Sequence, residues 1–192
     1  MHPERARREL LRGLQLAYSG EWGAIRAYLG HYASLPAGED RALIRRVLVD
    51  EIRHRRLVLE ILEGLGGRAD PRSERKMDVV GGAIAAFCRV GGWFLPMAGA
   101  ARLECDNVVE YEVLARLAWW ARLEPLVEPM LHLAEVEWDH EAWLRGRASA
   151  HRLWRLVPSW PTPPPRASIR ERFAEFVRAP TAVVRRRSLL VR

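Results

Sequence analysis

The sequence is poor in cysteine, nearly devoid of lysine and without a strand pattern. Cys88 and Cys105 are its only thiols in 192 residues, and they form no Cys-x-x-Cys. That excludes a disulfide framework and suits a reducing compartment. No run alternates apolar and polar residues over strand length, and no solenoid-length repeat occurs, so an all-α chain is expected. The N-terminal MHPERARREL is charged and leads straight into an amphipathic pattern, which does not read as a secretory leader. Lys76 is the single lysine beside thirty arginines, a bias attributable to base composition more than to chemistry. The length fits one domain with a sizeable core, and an apolar fraction of 49% argues against wholesale disorder.

Charge is unevenly placed. From Ala142 onward there are 12 Arg against Glu171 and Glu175, a net +10, which leaves about −3 for residues 1–141. A basic end on a near-neutral body points to an anionic surface, membrane or nucleic acid, or to a solvated tail.

Helical periodicity predicts a first helix over residues 4–33, with Leu10, Leu11, Leu14, Leu16, Ala17, Ala24, Ile25, Tyr28 and Leu29 as its apolar set. Glu21 falls on that face. A second helix is expected from Glu39 to Gly64, with Leu43, Val47, Ile52, Leu57, Leu59 and Leu62 as its stripe and glycines at its end. Gly67–Lys76, polar and holding Pro71, reads as a loop. Asp78–Leu103 is almost continuously apolar. Arg89, Pro96 and five glycines make a bent helical hairpin a better reading than a membrane span. A third main helix runs from about Met97 to Ala121 and a fourth from Leu123 to Arg147, joined closely enough to be antiparallel neighbours. A Pro-rich connector and a short amphipathic helix, Ser168–Val177, follow. The end, Val183–Arg192, is basic and apolar together, which favours an anionic membrane surface.

Glu51-Ile-Arg-His54 and Glu137-Trp-Asp-His140 carry the chemistry. Residues three apart share a helix face, so each Glu and His can address one point. With 18 Glu and 6 His, one such match arises by chance in about every second chain of this composition. Two matches on two helices, with a lone Glu on each of two others, make the ligand set of bundles that hold two metal ions between carboxylates. Glu21 and Glu104 are the candidates for the lone pair. The expected fold is therefore an all-α, ferritin-like four-helix bundle over residues 1–155, with the apolar hairpin 78–103. A Pro/Arg-rich extension over 156–192 carries the short helix.

The segment Gly20-Glu21-Trp22-Gly23-Ala24-Ile25-Arg26-Ala27-Tyr28-Leu29-Gly30 resembles the opening of the demethoxyubiquinone hydroxylases, di-iron monooxygenases of ubiquinone biosynthesis. Glu51 stands thirty residues after Glu21, Glu104 fifty after His54, and Tyr111 seven after Glu104, intervals similar to that family's. The resemblance spans about residues 10–145. It implies two irons on Glu21, Glu51, His54, Glu104, Glu137 and His140, with Glu51 and Glu104 bridging and Glu21 and Glu137 terminal. It also implies Tyr111 near the ring of a polyprenyl quinol substrate, O2 as oxidant and electrons arriving through the quinone. The hairpin 78–103 would then be the entrance for an isoprenoid tail at the cytoplasmic face of a membrane, with a homo-oligomer or a complex with other quinone-biosynthesis proteins as the assembly. Asp50 and Asp139 are candidates to orient the histidines. Cys105 and Glu110 stand where the family carries a carboxylate and a histidine, so the surroundings of the metals are expected to differ. Three alternatives remain open: a ferritin-like or rubrerythrin-like iron-binding or peroxide-scavenging protein, a di-iron tRNA hydroxylase, and a structural bundle whose buried acids are merely paired. The lack of basic–aromatic interleaving in the body argues against nucleic acid.

Overall fold

The computed structural model describes residues 1–158 and 160–179. The basic end Val183–Arg192 lies outside the described residues. Among them are α1 (Pro3–Ser34), α2 (Glu39–Gly64), α3 (Pro71–Val90), α4 (Phe94–Trp120), α5 (Val127–Ser149) and α6 (Ser168–Arg178), with 3-10 turns at Glu124–Leu126 and Arg152–Leu156 and no strand. The fold is an all-α bundle.

Four helices, α1, α2, α4 and α5, enclose the core, and α3 lies outside against α1. Side-chain pairs give the directions. Tyr28 meets Glu104 and Tyr111 meets Glu21, so α1 and α4 are antiparallel. His54 approaches Glu137 while Asp50 approaches His140, so α2 and α5 are antiparallel too. Gly23 faces Met77 and Gly30 faces Ala85, so α3 runs parallel to α1. It is the crossover that returns the chain to the end of the bundle where α4 begins.

This crossover starts earlier than its composition suggests. Pro71, expected in a loop, occupies the first turn of α3, where its missing N–H costs nothing. Asp70 caps the helix, its side chain accepting from the backbone N–H of Arg72 and Ser73. At the other end the chain turns through Gly91 and Gly92, the latter at φ 69, a left-handed conformation that glycine adopts without strain. The hairpin therefore bends at the two glycines, and Pro96 sits harmlessly in the first turn of α4.

Glycine also sets the α1–α3 distance. A Cβ on Gly30 would lie 2.3 Å from Ala85 Cα, and one on Gly81 would lie 2.5 Å from the Gly23 carbonyl. Both obstacles are backbone, so neither can swing aside. Gly30→Val should cost about 3 kcal/mol by forcing the helices apart, read as a lower urea midpoint with an unchanged slope.

The apolar core comes in two clusters. One gathers Leu10, Leu14, Val58, Leu62, Leu114 and Met130; the other gathers Ile25, Ile44, Val47, Met97, Ala101 and Leu144. On all four helices the residues between the two clusters are the candidate ligands. The α2 stripe differs from the expected one. Ile44, Val47, Leu48, Val58, Ile61 and Leu62 face inward while Ile52 is 51% exposed, so Glu51 and His54 lie on the true core face.

The C-terminal extension packs on α4 and α5. Phe176 is buried edge-on against Trp119 and Trp120. Arg170 donates to Glu135 at 2.6 Å and to Glu128 at 2.8 Å, Arg166 pairs with Asp139 at 3.0 Å, and Arg172 pairs with Glu112. Part of the positive excess expected for an external anion is thus used within the chain.

Candidate metal centre

Glu21 comes from α1, Glu51 and His54 from α2, Glu104 from α4, and Glu137 and His140 from α5. The helical repeat that buries the apolar residues on either side of each also buries these six. None is more than 6% exposed.

Their polar atoms converge. Glu21, Glu51, His54 and Glu137 each offer a ligand atom within 4.8 Å of the others, and so do Glu51, Glu104, Glu137 and His140. The two groups share Glu51 and Glu137. That differs from the expected bridging pair of Glu51 and Glu104: the residues common to both positions are the glutamates of the two Glu-x-x-His motifs, and Glu104, like Glu21, belongs to one group only.

Proximity here is not hydrogen bonding. His54 Nδ1 lies 2.8 Å from Glu137 Oε1, and His140 Nδ1 lies 3.3 Å from Glu51 Oε1, yet all four atoms lack an aligned partner. Glu21 Oε2, Glu51 Oε2, Glu137 Oε2 and His140 Nε2 are likewise buried and unpartnered. Orphaned polar atoms cost about 1–3 kcal/mol each, so eight in one layer demand an explanation. Apart from His140 Nε2, which lies toward Asp50, these atoms crowd one another without bonding one another, as ligand atoms around a common third point would.

The charge pattern agrees. Glu112, Glu135 and Glu141 are also buried, and each is paired with an arginine: Arg172, Arg170 and Arg145 respectively. Among the described residues no arginine or lysine forms an ion pair with Glu21, Glu51, Glu104 or Glu137. In a chain with thirty arginines, four buried acids with only two imidazoles for company are short of positive charge. This weighs against a purely structural bundle of paired acids.

Protonation shows the strain on a metal-free centre. Burial, with Glu137 nearby, pushes Glu51 and Glu104 well above the carboxylate range, and burial raises Glu21 as well. Glu137 is equally buried, but His140 and His54 outweigh that penalty and hold it down. His54 also loses by burial, and the Glu137 carboxylate more than restores it. Divalent cations would replace the protons and let all four carboxylates ionise. Four carboxylates and two imidazoles form a donor set that could hold divalent metal ions, iron among them. The residues present therefore fit the group implied by the sequence.

Two buried tyrosines complete the layer. Tyr111 donates its hydroxyl to Glu21 Oε1, and Tyr28 donates to Glu104 Oε1. Burial first, then the carboxylate each faces, raises both phenols well above their ordinary value, so they remain donors. Asn107 donates to Glu104 Oε2 at 2.9 Å. Tyr111, which the resemblance puts near a substrate ring, holds a carboxylate with its hydroxyl. Tyr28 and Asn107 were not anticipated as site residues. The signal for Tyr28 was present, because Glu104 and Tyr111 repeat the seven-residue spacing of Glu21 and Tyr28.

The two orienting candidates part ways. Asp50 Oδ2 lies 3.5 Å from His140 Nε2, on the side of the ring away from the cluster. Asp139 is 51% exposed and pairs with Arg166. Cys105 is half-buried, its thiol 3.5 Å from the Pro161 carbonyl. Glu110 is half-buried, and burial together with Glu21 and Glu137 raises it to about 7.

Comparison with protein-family models, with curated proteins and with solved structures returns no match.

Proposed function

We propose that this protein is an oxygen-dependent di-iron monooxygenase that hydroxylates the ring of a lipophilic quinol. The observation that carries the reading is the convergence of Glu21, Glu51, His54, Glu104, Glu137 and His140 into two overlapping ligand groups with no arginine among them. The up-down-down-up bundle with one long crossover supports a ferritin-like architecture for it.

Two bound irons would supply the oxygen chemistry: O2 with two electrons and two protons converts a ring C–H to C–OH and releases one water. The chain's own residues prepare the place. Glu51 and Glu137 are available to both metal positions. Glu21 and Glu104 each serve one and are held by Tyr111 and Tyr28. Asp50 lies 3.5 Å from the outer nitrogen of His140, placed to accept its N–H when Nδ1 turns to a metal. The apolar clusters on either side keep water from the layer, which strengthens each electrostatic contact within it.

A substrate dissolved in lipid suits the outside of α3. Val79, Val80, Phe87 and Val90 are exposed there, and Leu95 is exposed in the first turn of α4. Arg72, Arg75, Lys76 and Arg89 are exposed on the same helix. An apolar face with cations beside it fits peripheral binding to an anionic membrane surface. No helix among the described residues is long and apolar enough to cross a membrane.

The same ligands would serve an iron-handling or peroxide-scavenging protein, for which the α3 face would be an interface between copies. The RNA reading is weakened by Arg166, Arg170 and Arg172, which are engaged with α4 and α5.

The test supplies iron-reconstituted protein with 18O2, a chemical reductant and a short-chain demethoxyquinol in anionic vesicles. One 18O per product ring, detected by mass spectrometry, is expected. Oxygen consumption with no labelled ring, and iron uptake far beyond two per chain, would favour iron handling. Tyr111→Phe should retain two metals and weaken binding about tenfold, since it removes one hydrogen bond that orients Glu21; a metal titration monitors this.

A further inference from the structure

The layer has an internal two-fold relationship. The offset that takes Glu21 to Glu104 also takes Tyr28 to Tyr111, and the one that takes Glu51 to Glu137 takes His54 to His140. The residues around the ligands break that symmetry. Asn107 donates to Glu104, and its counterpart beside Glu21 is Ala24. Asp50 approaches His140, and its counterpart before Glu137 is Val136. Both oxygens of Glu104 therefore accept hydrogen bonds, from Tyr28 and Asn107. Glu21 accepts only from Tyr111, and its second oxygen is buried without a partner.

We propose that the two metal positions are inequivalent: the one held by Glu104 and His140 binds a divalent metal first and more tightly, and the one held by Glu21 and His54 fills second. This rests on the reading of the cluster as a two-metal site. Asp50 and Asn107 act through the ligands, as positioning residues. Asp50 lies 3.5 Å from the ring nitrogen that does not point at the cluster, without a hydrogen bond in the metal-free layer, and is placed to become its acceptor when metal draws the inner nitrogen in. Asp50 is itself steadied by Arg53, which donates to its other oxygen at 2.9 Å. Asn107 and Tyr28 hold the Glu104 carboxylate in place before metal arrives. Their hydrogen bonds withdraw some of its charge, but the fixed orientation removes the freedom that Glu21 must surrender on binding. The apolar Ala24 and Val136 offer neither help.

Manganese(II) titration tests this, with electron paramagnetic resonance reporting isolated ions against magnetically coupled pairs. Wild type should bind the first equivalent as an isolated ion and the second at least about tenfold more weakly, with coupling growing only in the second step. His54→Ala should keep the tight ion, and His140→Ala should lose it. Asp50→Asn and Asn107→Ala should each weaken the first step by roughly 10- to 100-fold and spare the second. V136D should narrow the gap by giving His54 an acceptor, a gain that a damaged fold could not produce. Equal affinities in wild type, or retention of the tight ion by His140→Ala and its loss in His54→Ala, would overturn the inequivalence while leaving a metal site. Failure of wild type to bind any manganese or iron would overturn the metal site itself.

Discussion

Glu51→Leu should make the metal-free protein more stable and abolish metal binding at both positions. Glu51 is wholly buried, and neither of its oxygens has a partner. Leucine fills nearly the same volume, removes two orphaned acceptors and relieves the repulsion from Glu137, Glu21 and Glu104. Replacing buried charges by packed apolar groups is commonly neutral or stabilising by about 1–4 kcal/mol, and the unpartnered atoms put this case at about 2–3 kcal/mol. Because Glu51 is common to both ligand groups, its loss removes a ligand from each position. Binding should fall by more than the ~100-fold that loss of an outer partner costs. Glu21→Ala, by contrast, should retain one metal. Urea unfolding and equilibrium dialysis on the same preparations read both halves. A destabilised metal-free Glu51→Leu would mean that the acid is satisfied in a way the structure does not show.

The second large effect is a reversal of the pH dependence of stability by metal. In the metal-free protein Glu21, Glu51, Glu104 and Glu110 have raised pKa values. A carboxyl raised on folding stabilises the protein below its unfolded value and ceases to do so as pH climbs through its folded value. His54, also raised, behaves in the same direction above its ordinary 6.5. Glu137 is depressed, so its contribution is present above 4.5 and is lost only on acidification. The net expectation is a fall in stability between pH 5 and pH 8. Glu110 alone, moved from 4.5 to about 7, would account for about 3 kcal/mol at full value, or about 2 kcal/mol once its partial exposure is discounted. That corresponds to a drop in Tm of roughly 4–8 °C. With metal bound the carboxylates are ionised and protons compete with the cations, so the slope changes sign and stability rises over the same range. Tm values at pH 5.5 and 8, with chelator and with saturating manganese, should lie close together at pH 5.5 and diverge toward pH 8, the metal-bound protein being the more stable at both. Parallel slopes would contradict the account.

Much of the site was legible in the sequence because the helical repeat is rigid. Glu51 and His54, or Glu137 and His140, must share a face if the segment is helical, and the structure brings them together. The lone partners Glu21 and Glu104 were found through their setting among apolar residues and through the resemblance. What was not legible depends on which helices meet. Asp50 and Asp139 looked equivalent in the chain, but only Asp50 faces the opposite helix; Asp139 points to solvent and Arg166. Tyr28 read as an ordinary core aromatic because its hydroxyl partner lies on another helix. That Glu51 and Glu137 are the residues common to both ligand groups likewise depends on which helices meet. Local rules failed at Pro71, where a residue taken as a breaker is the first turn of a helix capped by Asp70. They failed again in α2, where Ile52 is exposed and Ile44 is buried, because leucine-rich helices offer more than one apolar stripe.

The most direct test of the account is the metal content of the chelator-stripped protein after anaerobic equilibration with iron(II) and removal of free metal. Two irons per chain in wild type, one in Glu21→Ala and none in Glu51→Leu would match the two overlapping ligand groups built on a shared Glu51. A wild type that retains no iron and no manganese would contradict the metal centre and, with it, the proposed oxygen chemistry.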